Sequence, residues 1–215
     1  MKIGLIGSGI VAQALGRGFV TLGHEVKIGT RHPAKEDLQA FLTKAGAKAS
    51  SGSFTDAGRF GDIVVLATLW SGTENALKLA GAAALAGKIV VDVTNPLKMN
   101  PNGPPGLAVS GNDSAGEQVQ RWLPQSKVVK AFNHMGNSLM FKPQFPGGPP
   151  DMFIAGNDPA AKHRVTDDIL KPFGWNVSDL GGIEMSRYLE ALAMVWIIYG
   201  FSTRSWTHAF KLLKQ

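Results

Sequence analysis

The chain contains no cysteine in 215 residues, which excludes disulfides, thiol nucleophiles and cysteine-ligated metal centres. No metal site is expected. It also has no long hydrophobic run. The longest, Ala191 to Phe201, is well short of the roughly 20 residues that a membrane-spanning helix needs. A stretch resembling a signal peptide is missing too, because residues 1 to 9 already read as a strand and a turn. Membrane partners are therefore not expected, and the lack of thiols fits a cytoplasmic protein. Charged residues make up 18% and hydrophobic ones 44%, enough for one globular domain and short for two of full size. The net charge of +6 is dispersed, and no nucleic-acid motif accompanies it, so nucleic acid is not expected as a partner. Its better use is steering phosphorylated small molecules.

What is present begins at the first residue. Lys2 to Ile6 is a short apolar strand that runs into Gly7-Ser8-Gly9-Ile10-Val11-Ala12, the spacing G-x-G-x-x-A. Gly7 permits a tight turn, Gly9 lets a pyrophosphate approach the backbone, and Ala12 lets the following helix pack closely on the strand. Phosphates would then sit on free N–H groups at a helix N-terminus. An amphipathic helix through Leu15, Phe19 and Leu22 follows, then a second strand at Glu25 to Ile28.

That second strand ends in Gly29-Thr30-Arg31-His32-Pro33-Ala34-Lys35, where an NAD-binding chain would place an acid to hold the ribose 2′-OH. A carboxylate would repel a 2′-phosphate, whereas Arg31 and Lys35 attract one and Thr30 adds a hydroxyl. The expected cofactor is therefore NADP(H). The alternative is that both cations merely flank a turn.

Alternating apolar runs and helical segments continue to the C-terminal region. Strands are expected at Ala47 to Ser50, Asp62 to Ala67, Lys88 to Val93, Lys127 to Ala131, Met152 to Ala155 and Trp175 to Ser178. Helices are expected at Ala34 to Lys44, Phe54 to Arg59, Thr73 to Leu79, Ala115 to Trp122 and Pro159 to Lys171. Continuous runs such as Ile63 to Leu66 suit parallel strands covered on both faces. The fold class is α/β, a doubly wound and mostly parallel sheet. Two proline-rich stretches, Met99 to Gly106 and Lys142 to Pro150, read either as ligand covers or as plain connections.

Ligands of such sheets lie beyond the carboxyl ends of the strands. Thr68-Leu69-Trp70 and Thr94-Asn95-Pro96-Leu97 could flank a nicotinamide, although Trp70 could equally be rim packing and Asn95 a turn residue. In Phe132-Asn133-His134-Met135-Gly136, His134 is the candidate catalytic residue, as a proton donor near a hydride acceptor. A structurally bonded histidine is the alternative.

Several segments together resemble the F420-dependent NADP oxidoreductase family: GLIGSGIVAQALGRGF with GTR, VVDVTNPL (Val90 to Leu97), VVKAFNHMG (Val128 to Gly136), MFIAGND (Met152 to Asp158) and DLGGIEMSRYLEAL (Asp179 to Leu192). The same pattern resembles the oxidoreductase domain of the STEAP metalloreductases, without their transmembrane heme domain. The resemblance implies a Rossmann-type NADPH domain over residues 1–180 and a small C-terminal helical extension over residues 181–215. It implies hydride exchange between nicotinamide and a small-molecule acceptor, coenzyme F420 or a flavin. Gly7, Ser8, Gly9, Ile10 and Val11 would then form the pyrophosphate turn, with Thr30, Arg31 and Lys35 on the 2′-phosphate. Thr68, Leu69, Asn95 and Ala131 would border the nicotinamide, and His134 with Ser186 and Arg187 would lie toward the acceptor ring. The loop Lys142 to Pro150 and the segment from Trp196 onward match no part of an F420 pocket.

Ile183 to Phe201 reads as an amphipathic helix turning apolar all round at Met194 to Tyr199, so something must cover it: a homodimer contact, or packing within the monomer. The β-hydroxyacid and imine reductases share the N-terminal pattern but add a large helical domain, for which about forty residues leave little room. A flavin or ferric reductase module and a non-catalytic NADP sensor would each fit the same nucleotide-binding residues.

Overall fold

A computed structural model describes residues 1–213 and 215. The chain runs β1 (Lys2–Ile6), α1 (Ile10–Thr21), β2 (Glu25–Gly29), α2 (Glu36–Ala45), β3 (Ala49–Gly52), α3 (Phe54–Phe60), β4 (Ile63–Leu66), α4 (Trp70–Ala80) and α5 (Ala82–Leu85). It continues through β5 (Ile89–Asp92), β6 (Leu97–Lys98), β7 (Gly106–Leu107), α6 (Ala115–Trp122), β8 (Lys127–Lys130), β9 (Asp151–Gly156), α7 (Pro159–Val165), β10 (Asn176–Asp179) and α8 (Ser186–Thr203).

Eight strands form one sheet in the order β10-β9-β8-β5-β4-β1-β2-β3. The run from β3 to β8 is parallel, with the chain leaving β1 toward β2 on one side and β4 on the other. This is the doubly wound Rossmann-type arrangement, and its reversal at β1 opens a crevice at the carboxyl ends. Side chains alternate through the sheet. Ile3, Leu5, Ile63 and Val65 face one apolar layer with Leu15 and Phe19. Ile6, Val64 and Leu66 face the other, with Leu77 and Val119. Because both faces are covered, β4 and β5 are buried at every position.

Local signals place the helices. Ser53 and Asp56 form a reciprocal capping box on α3, Ser114 caps α6, and Asp158 caps α7 ahead of Pro159.

The structure departs from the sequence expectations in several places. β9 pairs antiparallel with β8, and β10 returns parallel to β9. The helix expected to run to Lys171 breaks at Val165 into a wider π-type turn over Thr166–Leu170. α4 starts at Trp70 rather than Thr73. The stretch Met99 to Gly106 sits at the tip of the small antiparallel hairpin β6–β7. The stretch Lys142 to Pro150 is pinned to the edge of the sheet, through Lys142 N–H on Phe173 O (2.7 Å) and Asn176 N–H on Pro150 O (3.1 Å).

Beyond α8 the chain folds back. Trp196 Nε1 donates to His208 O at 2.8 Å, Trp196 stacks on His208, and Trp206 tilts against Trp196. Gly200 makes this possible, since a Cβ there would lie 2.5 Å from the Trp206 ring. The tail then reaches β9, where Asp151 N–H donates to Phe210 O and Asp151 Oδ2 accepts from Leu212 N–H. No helix among the described residues is long and apolar enough to cross a membrane.

Candidate functional site

The crevice starts at the β1–α1 turn. Gly7 has φ of +118°, and a Cβ there would lie 2.2 Å from Ala67 O, so both conformation and space require glycine. Gly9 is the N-cap of α1, with no side-chain cap and no acidic residue in the first turn. A Cβ at Gly9 would meet nothing within 4 Å. The first N–H groups of α1, at Ile10, Val11 and Ala12, precede the first helical bond, Gln13 N–H to Gly9 O, and so have no partner within the helix. Ile10 is 64% exposed beside them. Unpaired N–H groups and a helix dipole make a ready seat for phosphate oxygens.

At the end of β2, Thr30 is buried and shares a hydrogen bond with Ser8 (3.0 Å), joining the glycine turn to the β2–α2 turn. Its Oγ1 also accepts from His32 N–H. Arg31 is exposed at the lip. Lys35 pairs with Asp37 at 2.9 Å, and Asp37 also accepts from Gln13 Nε2. The Lys35 contact is the main reason the Asp37 carboxyl lies below the usual carboxylate range. Lys35 therefore already has an anionic partner, but the pair is exposed and solvent-screened, so exchange for a phosphate is cheap.

On the other side of β1, Thr68 and Thr73 share a hydrogen bond (2.9 Å), and Leu69 projects 84% exposed. Trp70 stacks on Trp122, with ring centroids 5.6 Å apart, which is rim packing. Asn95 is half-buried and meets Asn133 reciprocally: its Nδ2 donates to Asn133 O (2.6 Å) while Asn133 Nδ2 donates to Asn95 Oδ1 (2.9 Å). Asn133 Nδ2 also reaches Leu189 O of α8. The Ala131 side chain is fully buried, so only its backbone can border a ligand.

His134 departs from the expected role. It is 2% exposed, and its Nε2 accepts from Phe153 N–H at 3.2 Å, which fixes an unprotonated acceptor at that nitrogen. Its ring packs against Phe153 and Phe210. Burial pushes its pKa down to about 4. A neutral, walled-in imidazole is a poor proton donor, and Asn133, one residue earlier, is the side chain tied to the β5 loop. The cause is Phe132, whose φ of +60° rotates the chain as it leaves β8.

Ser186 and Arg187 depart as well. Ser186 is fully buried, and Arg187 forks onto Glu117 through two contacts of 2.5 and 2.8 Å. That carboxylate lies below its ordinary pKa, mainly because of Arg187. Neither side chain is free to meet an acceptor ring.

Sequence reasoning passed over one more cluster. Lys130, Asp92 and Glu190 meet in the core, away from solvent: Lys130 Nζ lies 2.9 Å from Asp92 Oδ2 and 2.8 Å from Glu190 Oε1. The available signal was an acid and a lysine in register on neighbouring apolar strands. No group of side chains among the described residues has the make-up of a metal site.

Residues 2–96 match the family described as NADP oxidoreductase, coenzyme F420-dependent. The F420-dependent NADP reductase of Methanocaldococcus jannaschii is 30% identical over 207 residues, covering 92% of this chain and 91% of that protein. Rat metalloreductase STEAP3 is 28% identical over 194 residues, 90% of this chain; the chain spans 36% of the rat protein's length. A crystal structure from Arthrobacter sp. FB24, provisionally assigned as an F420-dependent NADP reductase, superposes with a TM-score of 0.93 at 39% identity, covering all of both chains.

Proposed function

Because the chain belongs to the family of F420-dependent NADP oxidoreductases, we propose that it transfers a hydride between NADP(H) and a deazaflavin, with coenzyme F420 as the acceptor or donor. The observation that carries the reading is the uncapped N-terminus of α1, open at Gly9 and linked through Ser8 and Thr30 to the turn that carries Arg31.

The residues fit the dinucleotide. Gly7, Ser8, Gly9, Ile10 and Val11 hold the pyrophosphate on backbone N–H groups. Thr30 and Arg31 take the 2′-phosphate, and Lys35 joins them by leaving Asp37. Thr68, Leu69, Asn95 and the Ala131 backbone border the nicotinamide, in a unit spanning residues 1–180. The dinucleotide supplies a hydride at its nicotinamide ring, and the protein's task is to hold the second ring against that face and keep water out. Leu69 offers the exposed apolar surface for this. The proton that accompanies transfer is assigned to solvent rather than to His134.

Residues 181–215 act as a homodimer contact or as a cover of the pocket, in a cytoplasmic enzyme. Tyr188, Val195, Ile198 and Tyr199 are exposed along α8 and form the apolar face that a second copy would bury. A second reading, NADPH-dependent reduction of flavin or ferric chelate, is favoured by the similarity to the STEAP3 segment.

Anaerobic mixing of the protein with NADPH and F420 tests the assignment, with FMN, FAD and ferric chelates in parallel. Bleaching of the deazaflavin band far faster than flavin reduction is the expected result. NADPH consumption with flavin or iron alone moves the assignment to the second reading. Tight NADPH binding with no turnover on any of them would leave an NADP sensor.

A further inference from the structure

The cluster centred on Lys130 lies directly beneath the nicotinamide edge of the proposed site. Besides the two carboxylates, Lys130 Nζ donates to Thr94 O at 2.5 Å. Asp92 Oδ1 accepts from both Thr94 N–H (2.9 Å) and Thr94 Oγ1 (2.7 Å). All three polar groups of Thr94 are therefore held by the buried charges. Glu190 turns its carboxylate onto Ala115 N–H and Gly116 N–H, both at 3.0 Å, so the N-terminus of α6 helps to neutralise it. Burial opposes the charge on Lys130, but Asp92 and Glu190 outweigh it and hold the lysine above its ordinary pKa.

This is an unusual use of a core position. Buried ion pairs can often be replaced by apolar side chains with no loss of stability, so stability alone does not account for one, and in some proteins such groups fix a particular geometry instead. Here the geometry is that of the residue next to Thr94. Asn95 is held by Asn133, and Asn133 by Leu189, the neighbour of Glu190 on α8. Asn95 Nδ2 gives one N–H to Asn133 O, and its second has no partner among the described residues.

We infer that Lys130, Asp92 and Glu190 are positioning residues for hydride transfer: by fixing Thr94, and with it Asn95, they set the orientation of the nicotinamide ring and link it to α8. The inference rests on the NADP assignment above and deepens it. It predicts that loosening the cluster frees the nicotinamide half of the cofactor and leaves the adenosine half bound, because Thr30 and Arg31 lie on the other side of β1.

The test uses Glu190→Gln, which keeps size and one acceptor oxygen, and Lys130→Met in the full chain. Three readouts are needed: the Kd of 2′,5′-ADP, which lacks nicotinamide; the fluorescence lifetime of bound NADPH, which reports ring mobility without any acceptor; and kcat with whichever acceptor turns over. Expected are a 2′,5′-ADP affinity within about twofold of the parent, a shortened NADPH lifetime, and a kcat lower by about tenfold or more, the scale on which small misplacements act. Should Lys130→Met not fold, Glu190→Gln decides alone. Equal weakening of 2′,5′-ADP and NADPH would mean a general structural role and overturn the inference, as would a folded Glu190→Gln with parental lifetime and kcat. If the parent itself fails to bind 2′,5′-ADP, the NADP assignment fails first and takes the inference with it.

Discussion

His134 gives a prediction that separates a structural histidine from a catalytic one. Its ring is buried, accepts a strand N–H, and has a pKa lowered from 6.5 to about 4, with burial the leading cause. Between those two values the unfolded chain binds a proton that the folded chain refuses, so stability rises with pH. The contribution is complete above the unfolded value, declines as pH falls through 6.5, and is exhausted once pH passes below the folded value. Over the whole shift it amounts to about 3 kcal/mol, of which roughly 2 kcal/mol is lost between pH 7.5 and pH 5. Urea unfolding at those two pH values, compared between the parent and His134→Gln, isolates this term from the other titrating groups. The variant should be less stable at pH 7.5 but should lack about 2 kcal/mol of the parent's decline toward pH 5. Its kcat in the assigned reaction should stay within about threefold of the parent. Identical pH slopes would refute the buried neutral imidazole. A loss of kcat of a hundredfold or so with cofactor affinity intact would restore His134 to the chemistry.

Three further outcomes follow from other parts of the fold. Arg31→Ala should weaken NADPH by about ten- to a hundredfold while leaving NADH unchanged, as expected for loss of a charge-assisted phosphate contact, and fluorescence titration with both nucleotides measures it. Gly7→Ala forces a side chain onto Ala67 O in a backbone conformation that suits only glycine. It should cost roughly 2 kcal/mol or more of stability, read by denaturant melts, and should abolish NADPH binding. Ile198→Asp places a charge in the middle of the exposed apolar face of α8 and should convert a homodimer to a monomer in sedimentation velocity, while a parent that is already monomeric would show that the face serves something else.

The half of the molecule around β1 was legible because its signals are local. Glycine spacing and an apolar run of strand length each act within a few residues, and farther along the chain α6 appears at the expected Ala115–Trp122. The direction of β9 was not legible, since a run such as Met152 to Ala155 has the same pattern whichever way it enters the sheet; the long connection from Phe132 to Pro150 decides it. The hairpin β6–β7 has two residues per strand, too few for any periodicity. His134 was named for its chemistry, as a titratable group just beyond an apolar run, and its burial was not legible, because no sequence pattern for phenylalanine announces the positive φ that Phe132 takes two residues earlier. The charge cluster stayed hidden for a different reason: Glu190 lies far along the chain from Asp92, and only the packing of α8 on α6 brings it to Lys130.

The position of Glu190 also bears on how the chain comes together as it is made. Asp92 and Lys130 emerge from the ribosome long before α8, and until Glu190 arrives the N–H groups of Ala115 and Gly116 lack their acceptor and Lys130 lacks its second carboxylate. The charge cluster is thus completed only when α8 is made, and full protease resistance should follow that late step. A ribosome stalled before α8 is exposed would hold a chain in which Lys130 has Asp92 as its one carboxylate partner.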